Sequence, residues 1–313
     1  MTAHPSALVI GGSGFIGQYL VERLLEAGQE VRTLDLGPSR FSHPRLTHWS
    51  GSFLQHELLH EAMTGVDCVY HLAATTMPRE ADMNPMRDCA ENVVGTLGIL
   101  DVALARNVRR LVFTSSGGTV YGPTEIVPIP ESHPTYPINA YGASKLACEK
   151  YLRLYNGRGD EAPLSTLSLR VANPYGPRQN TRKAQGALTT FAAQAVRGEV
   201  IQIWGDGSVE RDFIHVRDVV RAIQLAGEST VSGAEINIGS GVGTSLNQLL
   251  ALIEDALGQP VAREYRPARG FDVPRNFLDI SRAEEVFGWT PAIGLTAGLQ
   301  ELLTHFQEAA TEA

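Results

Sequence analysis

Three glycines at positions 11, 14 and 17 separate a short apolar segment from an amphipathic one. The preceding segment, Ala7–Ile10, is apolar and partly β-branched, which predicts a buried parallel strand. From Phe15 to Ala27, apolar residues recur at helical spacing. Glycine permits a tight turn and the close approach of a phosphate, and the start of a helix directs unpaired N–H groups at an anion. The pattern therefore predicts a cradle for a dinucleotide, formed by Gly11, Gly14, Phe15, Ile16 and Gly17.

Asp35 predicts which dinucleotide binds. A second strand, Glu30–Leu34, ends at this residue, about twenty positions beyond the glycine turn, where an acid can bind a ribose 2′-hydroxyl. A carboxylate there accepts hydrogen bonds from the ribose of NAD and repels the additional phosphate of NADP. Although Arg32 and Arg40 lie nearby in the sequence, we expect NAD to be the preferred cofactor.

Composition and charge exclude several classes of partner. With 26 basic and 34 acidic residues, the net charge is −8, which argues against nucleic acid. No apolar segment is long enough to span a membrane, and the N-terminus has no signal-peptide pattern. The three cysteines are not in metal spacing, so we expect them to be small buried residues of a cytoplasmic protein. An H-E-x-x-H match at His56–His60 has no evident third ligand, and we predict no metal site.

Tyr141 and Lys145 are the candidate catalytic pair. They stand four residues apart in a helix predicted from Asn139 to about Tyr155, so they lie on one face of it. The pKa of an unperturbed tyrosine is about 10. We expect the Lys145 ammonium and the positive nicotinamide ring to lower the pKa of Tyr141 toward neutrality. The phenol would then act as a general base.

Further candidates follow the other predicted strands. The strand Leu111–Ser115 leads into a run of hydroxyl and glycine residues, which we expect to face a ligand cleft at the carboxyl edge of the sheet. Ala73 and Ala74 follow the strand Cys68–His71 and are small enough to lie against a nucleotide. A long helix is predicted from about Pro85 to Arg106. Within it, Asn92 is either a core amide paired with the backbone or a cofactor contact.

These motifs together resemble the extended short-chain dehydrogenase/reductase family, and within it the NAD-dependent sugar epimerases and dehydratases. The nucleotide-sugar 4-epimerase branch is the most similar. The resemblance covers nearly the whole chain. The segments that carry it are GGSGFIG (11–17), Asp35, HLAA (71–74), NVVGT (92–96), SSGGTVYG (115–122), YGASK (141–145), RVANPYGP (170–177), RDFIHVRD (211–218) and RGFDVP (269–274).

The resemblance implies an α/β fold with a Rossmann-type doubly wound parallel sheet and a smaller, mostly C-terminal substrate-binding lobe. Residues 1–173 and 216–240 would form the NAD-binding domain, and residues 174–215 and 241–313 the nucleotide-sugar lobe. The long helices near 86–106 and after residue 141 imply a homodimer. The expected partner is a nucleotide sugar, with UDP as the expected nucleotide, and no nucleic acid or membrane.

Individual roles also follow from the resemblance. Tyr141 would be the base, Lys145 its electrostatic partner and a cofactor contact, and Ser116 the hydroxyl that binds the reacting oxygen. Trp204 is either a nucleobase contact or a core aromatic, and Arg211 either a diphosphate ligand or a surface ion pair with Asp212 or Asp218. The other implied cofactor contacts are Leu72, Ala73, Ala74, Asn92, Ser115 and Ala172. The other implied substrate contacts are Asn173, Leu188, Arg269 and Asp272.

The sequence departs from the family pattern at three places. Alignment from the strand assigns the catalytic hydroxyl to Ser116, whereas alignment from Val120-Tyr121-Gly122 places Gly117 there and leaves Thr119 as the alternative. Ser52 replaces an acid that contacts adenine. Asn276 replaces a bulkier residue, which favours an N-acetylhexosamine over a plain hexose.

Several alternative functions remain open. A 4,6-dehydratase needs an Asp-Glu pair before Val-Tyr-Gly, where this chain has Gly118 and Thr119. A 4-ketosugar reductase of the same family would use the same base, and a decarboxylase is a further enzymatic alternative. A non-catalytic NAD sensor would bind the cofactor without turnover. The sequence favours an NAD-dependent 4-epimerase of a UDP-hexose or UDP-N-acetylhexosamine, with supply of cell-surface polysaccharide as its expected pathway.

Overall fold

Seven parallel strands form the central sheet. The structure, a computed structural model, describes residues 6–159, 162–180, 186–268 and 273–311. The strands of this sheet are β1 (Ser6–Ile10), β2 (Glu30–Asp35), β3 (Leu46–Ser50), β4 (Cys68–His71), β5 (Arg110–Ser116), β6 (Ser165–Val171) and β10 (Ala234–Ile238). Their spatial order is β10-β6-β5-β4-β1-β2-β3. The direction of winding reverses between β1 and β4, where a crevice opens beyond the carboxyl ends of the strands. The predicted doubly wound α/β fold is confirmed.

Helices cover both faces of this sheet. On one face lie α1 (Phe15–Glu26) and α8 (Val216–Glu228), whose apolar sides share a core with β1 and β6. On the other face lie α2 (His56–Met63), α5 (Gly95–Ala105) and α6 (Ala140–Tyr155). Strand β1 is buried on both sides from Ala7 to Ile10, which explains its continuous apolar sequence.

The helix predicted from about Pro85 to Arg106 is not one regular α-helix. After α3 (Pro78–Met83), the chain forms α4 (Pro85–Asp88), a π-helix (Cys89–Val94) and then α5. The wider π-helical turn inserts an extra residue into the helical repeat, which changes the face that each side chain presents. An apolar repeat of 3.6 residues carries no signal for that insertion, so the prediction of a uniform helix is wrong here.

A second lobe is built from interrupted parts of the chain. Its elements are β7 (Asn173–Tyr175), α7 (Ala187–Val196), β8 (Ile201–Trp204), β9 (Glu210–His215), β11 (Gly243–Ser245), α9 (Leu246–Leu257), β12 (Arg263–Arg266), β13 (Arg275–Asn276) and α11 (Leu295–Thr311). Strand β9 pairs with β7, β11 and β13, and β12 pairs with β8. Helices α7, α9 and α11 surround the core of this lobe.

The chain returns to the main sheet between the two parts of this lobe, because α8 leads into β10 beside β6. Helix α10 (Ser281–Phe287) and the buried Trp289 also pack into the core of the main sheet. The division at residues 173, 215 and 240 stays a prediction. No helix within the described residues is long and apolar enough to cross a membrane.

Candidate active site

The glycine turn has the geometry of a phosphate cradle. A Cβ atom on Gly17 would lie 2.0 Å from the Gly11 carbonyl oxygen, and one on Gly11 would lie 2.9 Å from the Ala73 nitrogen. Gly11 also has a φ of +90°, which side chains disfavour. Gly14 precedes α1 without a side-chain cap, so the first N–H groups of the helix stay available to an anion. These features fit a bound dinucleotide. Phe15 and Ile16 anchor the turn by packing on the core below it.

Asp35 is held at the end of β2 beside this turn. Its carboxylate accepts hydrogen bonds from the Ser13 N–H at 3.0 Å and the Gly37 N–H at 2.9 Å. These bonds fix the carboxylate where β2 meets the cradle. The arrangement fits the predicted role of Asp35 in binding the cofactor ribose.

The ends of the neighbouring strands bring the other predicted cofactor residues to the same edge of the sheet. Leu72 N–H donates to the Ile10 carbonyl at 2.9 Å, and Ala172 N–H donates to the Ile238 carbonyl at 2.8 Å. Ala73 lies against Gly11, and Ala74 follows it in the loop after β4. Leu72, Ala73, Ala74 and Ala172 therefore border the crevice, and their contacts with the cofactor stay predictions.

Asn92 and Ser115 have structural partners. The Asn92 side chain accepts from the Thr75 N–H at 3.0 Å and donates to Thr76 and Asp88, so it fixes the loop after β4. Of the two alternatives for Asn92, this is the pairing with the backbone. The buried Ser115 hydroxyl donates to Glu149 at 2.5 Å. Any cofactor contact by Ser115 would therefore use its main chain.

Helix α6 carries the predicted catalytic pair. Its first turn is capped by the Asn139 side chain, which accepts from the Gly142 N–H at 2.7 Å. The Lys145 ammonium donates to the Thr114 carbonyl at 2.9 Å and lies 4.6 Å from the centre of the Phe113 ring. It lies 5.7 Å from the centre of the Tyr141 ring. The predicted placement of both residues on one helical face is confirmed.

Burial dominates the titration of this pair in the chain alone. Burial, together with smaller contributions from Asp88 and Cys148, raises the pKa of Tyr141 to about 12. Burial lowers the pKa of Lys145 to about 8, although Cys148, Asp88 and Glu149 oppose that shift. The expected lowering of the Tyr141 pKa includes the charge of the bound nicotinamide ring and stays a prediction. In the chain alone, the loss of water around the phenol dominates.

The side chains of Ser116 and Asn173 both lie near Gly118. A Cβ atom built on that glycine would be 3.9 Å from the Ser116 Oγ and 4.0 Å from the Asn173 Oδ1. Asn173 is oriented by its own amide group, which donates to the Asp212 carbonyl at 2.9 Å. These two polar side chains thus share one corner of the crevice between the two lobes.

Thr119, the alternative to Ser116, has a different setting. Its Oγ1 is buried and has no hydrogen-bond partner among the described residues. Its carbonyl lies 2.7 Å from the position of a Cβ on Gly142, in the first turn of α6. Ser116 therefore lies near Asn173, whereas the Thr119 main chain packs against the first turn of α6.

The predicted nucleotide-binding residues lie in the second lobe. Trp204 is 38% exposed. It lines a cleft of about 420 Å³ together with Gly205, Asp206, Ser208, Val209, Ala268 and Pro274. The Arg211 guanidinium donates to the Val273 carbonyl at 2.7 Å, beside this cleft. Leu188 is buried in the core of the lobe, which leaves only its main chain for a substrate contact. Arg269 and Asp272 lie outside the described residues.

The two other departures from the family pattern have structural roles. Ser52 lies before α2, where its hydroxyl accepts from the Leu54 N–H at 3.2 Å. Asn276 is 2% exposed, and its amide donates to the Gly117 carbonyl at 3.2 Å. Gly117 is tightly enclosed, since a Cβ there would lie 2.5 Å from Leu278. Through this hydrogen bond, Asn276 stabilises the loop after β5.

Sequence reasoning missed two buried acids near the pair. Glu149 forms an ion pair with Arg170 at 2.7 Å, and Asp88 accepts from Ser144 of α6. The only signal in the sequence was a small polar residue, Ser144, on the inner face of the helix between Tyr141 and Lys145. Among the described residues, no cluster of three or more His, Cys, Asp or Glu side chains could hold a metal ion.

Comparison with known proteins defines the class. A family model described as the NAD dependent epimerase/dehydratase family matches residues 7–239, and the chain belongs to this family. The chain is 36% identical over 309 residues to a UDP-glucose 4-epimerase of Mycolicibacterium smegmatis, covering 96% of this chain and 98% of the relative. It is 31% identical to a dTDP-4-dehydro-6-deoxyglucose reductase of Escherichia coli, covering 95% and 96%.

Solved structures agree with this assignment. The UDP-glucose 4-epimerase of Thermotoga maritima, solved with UDP-glucose, has a TM-score of 0.91 at 34% identity over 97% of this chain and 99% of that one. MoeE5, solved with UDP-glucuronic acid and NAD, has a TM-score of 0.89 at 31% identity over the same shares. The family resemblance, the fold and NAD as the cofactor are thereby confirmed.

Proposed function

We propose that the chain is an NAD-dependent nucleotide-sugar 4-epimerase that acts on a UDP-hexose or UDP-N-acetylhexosamine. The observation that carries the proposal is the position of Tyr141 and Lys145. Both lie on one face of α6, which borders the crevice that also holds the glycine cradle and Ser116. The relatives named UDP-glucose 4-epimerase support the reaction and the UDP group.

The residues of the crevice divide the chemistry between them. The glycine turn and Asp35 would hold NAD, which would supply a reversible hydride acceptor for C4 of the sugar. Tyr141 removes the proton of the 4-hydroxyl through its phenolate oxygen and later gives it back. Ser116 donates a hydrogen bond to the same sugar oxygen. Lys145 stays largely protonated at neutral pH, because its lowered pKa is still about 8, and its charge stabilises the phenolate.

The second lobe keeps the oxidised sugar from escaping. We infer that Trp204 packs on the nucleobase, Arg211 and Arg269 bind the diphosphate, and Asp272 binds the nucleoside ribose. Asn173 contacts the sugar from the corner beside Gly118. With the diphosphate held, the 4-ketosugar rotates without leaving, and both half-reactions occur at one site.

This chain has no acidic residue at the two positions before Val120-Tyr121-Gly122, where an enzyme that eliminates water requires a pair of acids. Gly118 and Thr119 occupy the places of the Asp-Glu pair of the 4,6-dehydratases. Gly118 lies near Ser116 and Asn173, and Thr119 lies against α6. Without a carboxyl group at either place, these two residues cannot transfer the protons of a dehydration. This favours epimerisation, with the ketoreductase as the remaining enzymatic alternative.

Nuclear magnetic resonance of the purified holoenzyme with UDP-glucose, UDP-N-acetylglucosamine and dTDP-glucose, without added cofactor, tests the proposal. We expect inversion at C4 of at least one UDP sugar and no net change in bound NAD. Loss of water would identify a dehydratase. A parallel sample with a nucleotide-linked 4-ketosugar and NADH covers the reductase, which would convert that sugar while oxidising NADH stoichiometrically. Tight NAD binding without turnover in either sample would identify a sensor.

We further propose a homodimer formed through α5 and α6, in a cytoplasmic enzyme that supplies sugars for cell-surface polysaccharide. Val94, at the end of the π-helix, and Leu154 are 58% and 60% exposed, and Tyr151 is 37% exposed. These apolar groups lie on neighbouring helices and favour burial against a second copy. Light scattering should give a dimer, Leu154→Glu should give a monomer, and Val200→Glu in the second lobe should leave the dimer intact. A monomeric wild-type protein would contradict this part.

A further inference from the structure

A buried carboxylate next to the catalytic pair has no role in the mechanism above. Asp88 is the last residue of α4 and is completely buried. Its carboxylate accepts hydrogen bonds from the hydroxyls of Thr76 and Ser144 and from the Asn92 amide at 2.9 Å. All three donors are neutral. Burying a carboxylate without a cation bonded to it is unfavourable. Hydrogen bonds from neutral donors alone therefore do not explain why an acid is buried at this position.

The contacts of Asp88 connect the two halves of the crevice. Thr76 belongs to the loop after β4, next to Ala73 and Ala74 on the cofactor side. Ser144 lies on α6 between Tyr141 and Lys145. Asn92 binds both Asp88 and the backbone of the same loop. The π-helix that begins at Cys89 places Asp88 and Asn92 on one side of the chain.

The charged side chains around the pair carry opposite signs. Glu149 of α6 is matched by Arg170 of β6, its partner at 2.7 Å. The negative charge of Asp88 on α4 acts on Lys145 of α6, since Asp88 raises the pKa of that ammonium group. Two further titratable groups face the site and are neutral. Burial lowers the pKa of His71 on β4 to about 3 and raises the pKa of the Cys148 thiol on α6.

We propose that Asp88 is a positioning residue for Tyr141 and Lys145. The hydrogen bonds of Asp88 fasten α6 to the cofactor-side loop. Its negative charge keeps the Tyr141 phenol protonated until the positively charged oxidised cofactor has bound. The part that concerns the base rests on the proposed function. The binding of the cation cancels the effect of Asp88 on the phenol and so couples activation of the base to a filled cofactor site. Because coupling between sites is reciprocal, the same charge stabilises oxidised NAD relative to NADH.

Two readouts on the holoenzyme of Asp88→Asn test the charge. Removing the negative charge destabilises the nicotinamide cation about tenfold relative to the neutral reduced form, which raises the midpoint potential of the bound couple by about 30 mV. The acid limb of the pH profile of kcat moves to lower pH by about one unit. A redox-dye titration of bound nicotinamide measures the potential without any sugar. Its result therefore stands whether or not the sugar assay of the proposed function succeeds.

Asp82→Asn is the matched control. Asp82 is an exposed carboxylate on α3 that also contacts α6, since it accepts from the Ala140 N–H at 2.8 Å. We expect this variant to leave both the potential and the pH profile unchanged. An unchanged potential in folded Asp88→Asn, or an equal shift in Asp82→Asn, would overturn the electrostatic part of the proposal.

Ser144→Ala tests the fastening separately and does not depend on whether Asp88→Asn folds. This variant keeps the charge and removes one hydrogen bond to α6. We expect kcat to fall about tenfold while KM for the sugar and the midpoint potential stay at wild-type values. A kcat equal to that of the wild type would overturn the positioning role.

Discussion

Replacing Glu149 by glutamine removes the charge from a buried ion pair and keeps its shape. The Arg170 guanidinium donates to the two Glu149 carboxylate oxygens at 2.7 Å and 3.0 Å, and the side chains of Arg170 and Glu149 are 3% and 0% exposed. Burial lowers the pKa of Arg170, but Glu149 more than compensates and the net shift is upward. The pair is thus strongly coupled.

The expected loss of stability in Glu149→Gln follows from the burial of the ion pair. Removing one partner of a buried pair leaves the other charge uncompensated, which lowers the free energy of unfolding by about 3–5 kcal/mol. For a chain of this size, the corresponding fall in Tm is roughly 5–8 °C. Glu149 also raises the pKa of Lys145, so the variant should lose the Lys145 proton at a lower pH than the wild type does.

Thermal unfolding followed by circular dichroism measures this effect. Glu199→Gln is the matched control, because Glu199 also lies 2.7 Å from its arginine, Arg197, but both side chains are 47% exposed. Solvent screens such a pair, and its loss should leave Tm unchanged. A fall in Tm of under about 2 °C for Glu149→Gln would refute the reasoning that burial makes this pair important.

Further predictions concern the cradle, the cofactor and acid stability. Gly17→Ala should lose NAD on gel filtration, because its methyl group would collide with the Gly11 carbonyl, whereas Gly98→Ala, where the added carbon meets no atom within 4 Å, should retain it. Asp35→Asn should reduce the preference for NAD over NADP at least about tenfold in calorimetric titrations, since a like charge no longer faces the additional phosphate; an unchanged ratio would contradict the role of Asp35. His71 is buried neutral with its pKa lowered to about 3. Only the unfolded chain therefore gains this proton between about pH 6.5 and pH 3, and stability falls as the pH is lowered through that range. His71→Leu should remove about 2 kcal/mol of the loss between pH 6.5 and pH 5 in urea unfolding, and an unchanged slope would contradict the assignment.

Much of the main domain could be predicted because its signals are local. The apolar strand Ala7–Ile10, the glycine turn and the helical spacing that follows it are each encoded within a few residues. Tyr141 and Lys145 share a face because they are four residues apart, and the structure retains that geometry. The order of the strands then brings these separate signals to one edge of the sheet.

What could not be predicted depends on contacts between distant parts of the chain. Successive residues of a strand point to opposite faces, so the side chains of Ser115 and Ser116 point in opposite directions. The sequence does not show that the Ser115 hydroxyl is bonded to Glu149, because that acid lies on a different element. The raised pKa of Tyr141 follows from burial by the surrounding structure and from Asp88, fifty-three positions away in the sequence.

The central claim is that the Tyr141 phenolate removes the proton from the sugar. The most direct test is the turnover of Tyr141→Phe holoenzyme on a nucleotide sugar that the wild type converts, measured by nuclear magnetic resonance. We predict a loss of kcat of about 10²–10⁴-fold, with unchanged NAD content and Tm. Tyr136→Phe, at a tyrosine that is 70% exposed, should retain full activity. Turnover of Tyr141→Phe close to that of the wild type would contradict the account.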